Sequence, residues 1–581
     1  MSIIMSSTST QAVESAKRWL TKCLSSHESC QKRARLSTIW SSDNMHIIRD
    51  LGPGDMMPKR LLRLKPFSAS QSSNGDSYHL YLEQFQKGSA VQPYVALSYC
   101  WGDPASVPKT TGANLENHMS VGLEIKTLPA TFRHAAEVVR RLGYECLWID
   151  ALCIVQDDEE DWKEEAPRMA VVYGNAVCTI HAADAINSDG GLFATSLAGS
   201  KRGILQRRAW ATQELAISPR SLIFTADGVG WECQQAQTTP ADEYADMKPK
   251  NDVKELSEKS PKGLKDIFVF FRDWRIPGQE VENPEVFDEP RMDLSFDIQG
   301  DKHSYVPFID TWWELISQYS SRSMSYESDR FLALNGIAAV AQRQARIRNT
   351  WGLWIDFLET ELLWYVDSSG PEGHSTNRFL APSWSWAATK GGIVKNTFAE
   401  RGSSAREYAS LMIKPQIGIP YGTSFDQKLP IPAWTSRDSQ SIALKGDLRT
   451  GEITAYLSDD GRKRYTVKLD NVGRWSDDEI YDFRPDAPSK FPLGETKKVV
   501  CLLVWHLEAG GCGLNEHVNL VLVLRQRQEQ EVRLYTDDVT EIDLMEERTF
   551  YRLGYMECSF KDMRETEDIH EDLWWKQLWL R

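Results

Sequence analysis

Four stretches decide the fold: YVALSYCWG (94–102), CLWID (146–150), VCTIHAA (177–183) and SLIFT (221–225). Each is a short apolar run of strand length. Segments with helical spacing lie between them. TLPATFRHAAEVVRRLG (127–143) sets Phe132, Ala135, Ala136, Val139 and Leu142 on one face. Thr127 can cap that helix, Pro129 sits in its first turn and Gly143 can end it. Asp157 and Glu160 resemble a capping box, with Asp in the Ser/Thr place. The helix they open buries Trp162, Ala166, Met169 and Tyr173, with a kink or break expected at Pro167. RRAWATQELAI (207–217) reads as the third helix. The order β-α-β-α-β-α-β predicts a mainly parallel sheet with helices on both faces. Ligands of such sheets gather at the carboxyl ends of the strands. Here those ends carry Trp101-Gly102-Asp103, then Asp150 through Asp157, then the 184–206 loop.

Working outward, residues 11–35 read as an amphipathic helix. Leu20, Cys23, His27 and Cys30 share one stripe of it. The pattern C-x3-H-x2-C is half of a metal site, but a structural zinc takes four protein ligands. The reading therefore assigns no metal and treats the stripe as a face packed on the main body. SQSSNGDS (70–77) is a loop, and residues 236–305 are a charged, Pro-containing insertion around the apolar segment IFVFFRDW. FIDTWWELISQYSSR, DRFLALNGIAAVAQR and WGLWIDFLETELLWY (within 307–365) read as helical. From about residue 430, SIALKGDL, RYTVKLDNV, KVVCLLVWHL, VNLVLVLRQ and TFYRLGYME alternate as short strands. The predicted division is an N-terminal lead-in (1–90), the α/β domain (91–235), an acidic insertion (236–305), a helical region (306–395) and a β-rich C-terminal region (396–581). The insertion, with its charge and few apolar runs, is expected to be among the least ordered parts.

The chain has 581 residues with 67 Lys+Arg and 82 Asp+Glu, a net charge of −15. That balance argues against a nucleic-acid partner. The 41% hydrophobic and 26% charged content is globular, and 21 Trp point to large packed cores or aromatic clefts. The ten cysteines form no C-x-x-C pair, no signal peptide is evident, and the apolar runs are too short to span a bilayer. A cytoplasmic chain is expected. Phosphate-loop, dinucleotide-fingerprint and hydrolase-elbow motifs are missing, so NTPase, classical dehydrogenase and α/β-hydrolase readings have no support.

YVALSYCWGD, LWIDALCIVQDDEEDW, MAVVYGNAVCTI and RAWATQELAISPRSLIF, in that order, resemble the fungal heterokaryon-incompatibility (HET) domain. The resemblance runs from about 94 to 225. WELISQYSSRSMSYESDRFLALNGIA, APSWSWAATKGGI and the front segment WLTKCLSSHESC with PKRLL look like the flanks of long HET proteins. Cys100, Pro167 and the acidic insertion depart from the familiar pattern. The resemblance implies nonself recognition and programmed cell death, acting through a protein partner or self-association. HET domains have been likened to TIR domains, some of which cleave NAD with a Glu on a helix that follows a Trp. Trp210-Ala-Thr-Gln213-Glu214 looks like that arrangement, which implies a TIR-like sheet and makes NAD a candidate substrate.

The residues themselves allow two readings of Glu214. Trp210, Gln213, Glu214 and Ile217 share one helix face. A carboxylate there is either a functional group of raised pKa or a structural ion pair with Arg207, Arg208 or Arg220. As a catalyst it would meet positive charge developing on a ribose. Around it the candidate ligand rim is Trp101, Gly102, Asp103, Asp150, Gln156, Asp157, Trp210 and Gln213. For Asp157 the competing role is a helix cap, and for Trp101 it is plain core. His181, inside an apolar strand, reads as a core histidine. The acid run Asp157–Asp161 lacks calcium-loop spacing and reads as a solvated helix face.

Overall fold

The computed structural model describes, with short breaks, residues 7–31, 57–66, 78–193, 203–250, 263–275, 302–366 and 381–394, and beyond 409 the C-terminal strands with a few flanking residues. It separates into two compact units, residues 1–311 with 322–346, and residues 312–321 with 347–581.

The first unit is built on a ten-stranded sheet. Its strands are β1 (Arg60–Pro66), β2 (Tyr78–Gln84), β3 (Tyr94–Ser98), β4 (Leu123–Glu124), β5 (Cys146–Trp148), β6 (Thr179–Ala182), β7 (Arg220–Thr225), β8 (Gly228–Cys233), β9 (Ala236–Thr238) and β10 (Lys248–Pro249). Their order is β10-β9-β8-β7-β6-β3-β5-β1-β2-β4. The middle four, β5, β3, β6 and β7, pair parallel. The flanks do not. β8 returns on β7 through a hairpin, with Gly228 opposite Thr225. β1 runs antiparallel to both β5 and β2. The sheet is therefore mixed, which corrects the expectation of a mainly parallel one. The central strands connect through helices, which lets them run parallel, whereas the short turn after Thr225 reverses β8 on β7.

The helices that accompany it are α1 (Ser7–Ser26), α2 (Ala130–Leu142), α3 (Asp150–Cys153), α4 (Glu159–Glu165), α5 (Met169–Asn175), α6 (Trp210–Ile217), α7 (Leu264–Asp273) and α9 (Leu332–Ala345), with α8 (Val306–Ser320) divided between the units. In α2, Phe132, Ala135, Ala136, Val139 and Leu142 are buried and left-handed Gly143 is the C-cap, as its sequence predicts. Thr127 is not its cap; Pro129 holds that place and the Thr127 hydroxyl donates to the Glu124 carbonyl. The cap of α4 is Asp158, whose side chain accepts from the Glu160 and Asp161 amides, one residue beyond the Asp157 predicted. Pro167 sits in a 3-10 turn that separates α4 from α5. The IFVFFRDW segment lies in α7 and beyond it, with Ile267, Phe268 and Phe271 buried. Residues 251–260 and 276–301, which carry much of the expected loose insertion, lie outside the described residues.

Within the acid run, residues 157–160 are exposed but Asp161 is buried. It pairs with buried Arg60, and Lys59 Nζ lies 3.0 Å away. The Val155 amide donates to it at 2.8 Å. His181 is wholly buried and shares a 3.1 Å hydrogen bond with the Ser221 hydroxyl, as a core histidine should.

The second unit holds a tryptophan core and a β-rich body. Trp312, Trp313, Trp354, Trp364, Trp384 and Trp386 are all fully buried. The Gly352 carbonyl accepts from the indoles of Trp312 and Trp386, at 3.0 and 3.1 Å. Buried Glu361 accepts from the Trp313 indole at 2.7 Å. The expected helix over WGLWIDFLETELLWY is absent at its two described ends, residues 351–354 and 362–365; residues 355–356 and 358–360 lie outside the described residues. Asn349–Thr350 pairs with Leu353–Trp354 across a turn in which Trp351 and Gly352 both have positive φ, and Tyr365–Val366 pairs with Ile393–Val394. The turn breaks the helical path, and apolar spacing alone did not reveal it.

Beyond 409 the described chain is strands and the turns between them. All five predicted segments fall on strands, Ile442–Leu457, Lys463–Leu469, Thr496–Ala509, Glu516–Gln526 and Thr549–Phe560, with Ser441 and residues 470–472 of the first two segments outside the described residues. With Ile480–Pro485 they form an antiparallel circuit that closes where 448–454 pairs with 496–502. Closure satisfies strand edges that would otherwise recruit other chains.

Candidate functional site

The site is assembled where the parallel strands end. Ser98 is the last residue of β3, and its hydroxyl donates to the Glu214 carboxylate. Glu214 sits in the second turn of α6 and is only 4% exposed. Arg208 lies just before that helix and donates to the Tyr99 carbonyl. On the neighbouring strand, β5 stops at Trp148. Asp150 is therefore not a strand end but the first residue of the one-turn helix α3, with its Oδ1 accepting from the Ala151 amide at 2.7 Å. Its Oδ2 accepts from the Trp101 indole at 2.7 Å.

Charge ties these groups together. Burial pushes the Glu214 carboxyl above the usual range, against the pull of Arg208 and of the Ser98 hydrogen bond. Asp150 is raised for the same first reason, again with Arg208 opposing. Desolvation works against the Arg208 cation, but Glu214 and Asp150 outweigh it and hold Arg208 above its ordinary value. Burial, then the Asp150 charge, push the Tyr99 phenol well upward. The Arg208 charge thus acts on both carboxylates.

Of the three arginines weighed as partners for Glu214, Arg208 is the one whose charge acts on it most. Arg207 is exposed, and Arg220 is engaged on the far side of β7. The structure brings Trp101, Asp150 and Glu214 into this group. Gln156 joins its edge, its side-chain amide donating to the Asp150 carbonyl at 3.1 Å. Gly102 and Asp103 are exposed beside it. Gly102 has φ +76°, and a Cβ there would lie 2.4 Å from the Asn187 Cβ, so only glycine lets the 101–103 loop rest on the 187 loop. Asp103 accepts from the Ala105 amide, and Asp157 from the Gly112 amide at 2.8 Å; both carboxylates hold local backbone.

Trp210 and Gln213 bond elsewhere. The Trp210 indole donates to Asp329 at 3.1 Å, and the Gln213 side-chain oxygen accepts from the Gly336 amide at 2.8 Å. Both fasten α6 to the segment that carries α9. Ser98 was not singled out from sequence. A hydroxyl closing the otherwise apolar strand YVALS is the signal that could have found it.

Residues 94–274 match the family model described as heterokaryon incompatibility protein (HET). The chain carries a HET domain there. A curated relative, "Heterokaryon incompatibility protein 6, OR allele" of Neurospora crassa, is 34% identical over 88 residues, which is 14% of this chain and 13% of that protein. The similarity thus spans a small part of each. No solved structure matches. The HET match contains β3 through β10 and α2 through α7. The Ser98–Glu214 bond and the Arg208 cation therefore belong to the HET domain, whereas Asp329 and Gly336, which hold Trp210 and Gln213, lie beyond it. No helix among the described residues is long and apolar enough to cross a membrane.

Proposed function

We propose that this chain acts in nonself recognition between fusing fungal cells, its HET domain provoking growth arrest or death by contact with a partner protein or another copy of itself. The HET match over 94–274 carries this reading. The site chemistry favours an interaction module over an open catalytic pocket. The Glu214 carboxylate is bonded to Ser98, Asp150 holds the Trp101 indole, and Trp210 and Gln213 are committed to residues 329–336. Inducible expression of the full chain in a fungal host tests it. Colony growth should slow, and more so when an incompatible strain is fused. Normal growth at high expression, with such a strain supplied, would overturn the proposal.

A second reading, a TIR-like NAD glycohydrolase, draws on one observation. Glu214, Asp150 and Arg208 gather at the carboxyl ends of parallel strands, where nucleotides bind in such sheets. Glu214 would stabilise the oxocarbenium-like ribose as nicotinamide leaves and water adds to the same carbon. Purified full-length protein should then consume NAD, and Glu214→Gln should slow turnover on the order of 10²–10³-fold. NAD left intact at high protein concentration, alongside growth arrest in cells, would leave the assembly reading alone.

A further inference from the structure

The stripe C-x3-H-x2-C lacks a fourth ligand only in sequence. Cys23 lies in the last turns of α1, which ends at Ser26. The chain then coils back, the His27 amide donating to the Cys23 carbonyl and the Cys30 amide to the His27 carbonyl, both at 3.2 Å. This brings Cys23, His27 and Cys30 to one spot. α1 packs on β8, and the last residue of β8 is Cys233. The three sulfurs and one imidazole nitrogen all lie within 4.8 Å of one another. His27 Nδ1 is 3.3 Å from Cys233 Sγ. A tetrahedral zinc with bonds of about 2.3 Å to sulfur has ligand-to-ligand edges of about 3.8 Å. The four donors stand about as far apart as a bound ion requires, so side-chain adjustment alone would complete the tetrahedron.

The surroundings suit a thiolate centre. Cys23, Cys30 and Cys233 are buried and His27 is half-buried. The Ala236 amide donates to Cys233 Sγ at 3.3 Å, and Arg220 Nε to Cys23 Sγ at 3.2 Å. A second Arg220 nitrogen donates to the Cys30 carbonyl at 3.1 Å and a third to the Val177 carbonyl at 3.2 Å. Arg220 faces Cys233 across the β7–β8 pairing, so the sheet itself sets its position. Three thiolates and a divalent ion sum to −1, which the Arg220 cation balances. N–H groups aimed at ligand sulfurs are the outer support that metal–thiolate sites use.

We infer that Cys23, His27, Cys30 and Cys233 bind one structural zinc ion that pins α1 to the end of strand β8 in the HET-domain sheet. Three sulfurs and an imidazole in tetrahedral array select zinc over the oxygen-seeking cations. Four protein ligands leave no open position, so the ion staples rather than catalyses. It joins residues about 200 positions apart, where a cross-link removes the most chain entropy from the unfolded state.

The test uses the full-length chain, purified without chelators. Elemental analysis should find about one zinc per chain, and exchange with cobalt(II) should produce thiolate-to-cobalt charge-transfer and tetrahedral d–d bands. Removing zinc with a chelator should lower the melting temperature, and zinc alone should restore it. Cys233→Ser should abolish the cobalt bands, or move them if serine ligates. His27→Cys should keep them in altered form, and Arg220→Met should weaken zinc affinity by about 10-fold or more. If Cys233→Ser fails to fold, the cobalt spectrum of the unaltered chain still decides. A cooperatively melting chain that holds only trace metal and gives no cobalt bands overturns the inference. So does a disulfide among the three cysteines, detected as alkylation-resistant sulfurs and the mass loss of two hydrogens.

Discussion

Asp161 shows what a single side chain can carry. It is the buried acid of a run that is otherwise solvated, and it neutralises Arg60, itself 2% exposed. Asp161→Ala would strand that guanidinium and cost about 3–5 kcal/mol, read as a fall in the urea midpoint. Burial raises the Asp161 carboxyl, but the Val155 amide, Lys59 and Arg60 together hold it below the usual range. For a depressed carboxyl the stabilisation is complete above the ordinary Asp pKa and fades as pH drops through the folded value. Glu214 has the opposite sign. Its raised pKa makes the charged form a cost that grows as pH rises through the folded value. Glu214→Gln keeps an acceptor for Ser98, and Asp150 remains to face Arg208. The variant should therefore melt within a few degrees of the parent by calorimetry. A loss of several kcal/mol would mark the Glu214 carboxylate as chiefly structural.

Between elements, α9 approaches α5 and α6 closely at Gly336. A Cβ added at Gly336 would lie 2.2 Å from the Ala170 Cβ and 2.9 Å from the Gln213 side-chain oxygen. Alanine is the better helix former by about 1 kcal/mol. A 2.2 Å contact in a packed interior outweighs that gain, and overpacking costs about 1–3 kcal/mol. Gly336→Ala should lower the melting temperature despite its higher propensity, and Ala170→Gly in the same chain should recover part of the loss. Additive losses in the double variant would show that the two positions do not collide. The Gly336 amide also holds Gln213. The same substitution therefore tests whether the α6 face that carries Glu214 is set by its grip on α9.

Over the whole molecule, acid should be the destabilising direction. Burial, with Lys265 adding to it, pushes the His181 imidazole down to about 3. An unfolded histidine takes up a proton near 6.5, so between those values the unfolded chain binds one proton more. Asp161 adds a loss in the same direction at lower pH, and the raised carboxyls of Glu214 and Asp150 oppose both. The urea midpoint should fall from pH 7 to pH 5, and in His181→Asn the slope should be shallower by about one proton. An unchanged slope would mean that His181 is protonated inside the fold.

Local pattern was enough for the elements of the HET domain. Apolar runs of strand length at 94, 146, 177 and 221, with α2 ended by Gly143, are legible because burial and helical periodicity are properties of neighbouring residues. The same holds for the five C-terminal strands. Of the site, Trp101, Asp150 and Glu214 could be picked out as polar or aromatic residues next to those strands and helices. Ser98 and the choice of Arg208 among three arginines could not. Direction of pairing, the antiparallel flanks, the turn at Trp351-Gly352 and the ion pair between Arg60 and Asp161 were decided only by tertiary structure. So was the meeting of Cys233 with Cys23, His27 and Cys30. Each depends on groups that are distant along the chain or on a backbone angle, and hydrophobic spacing records neither.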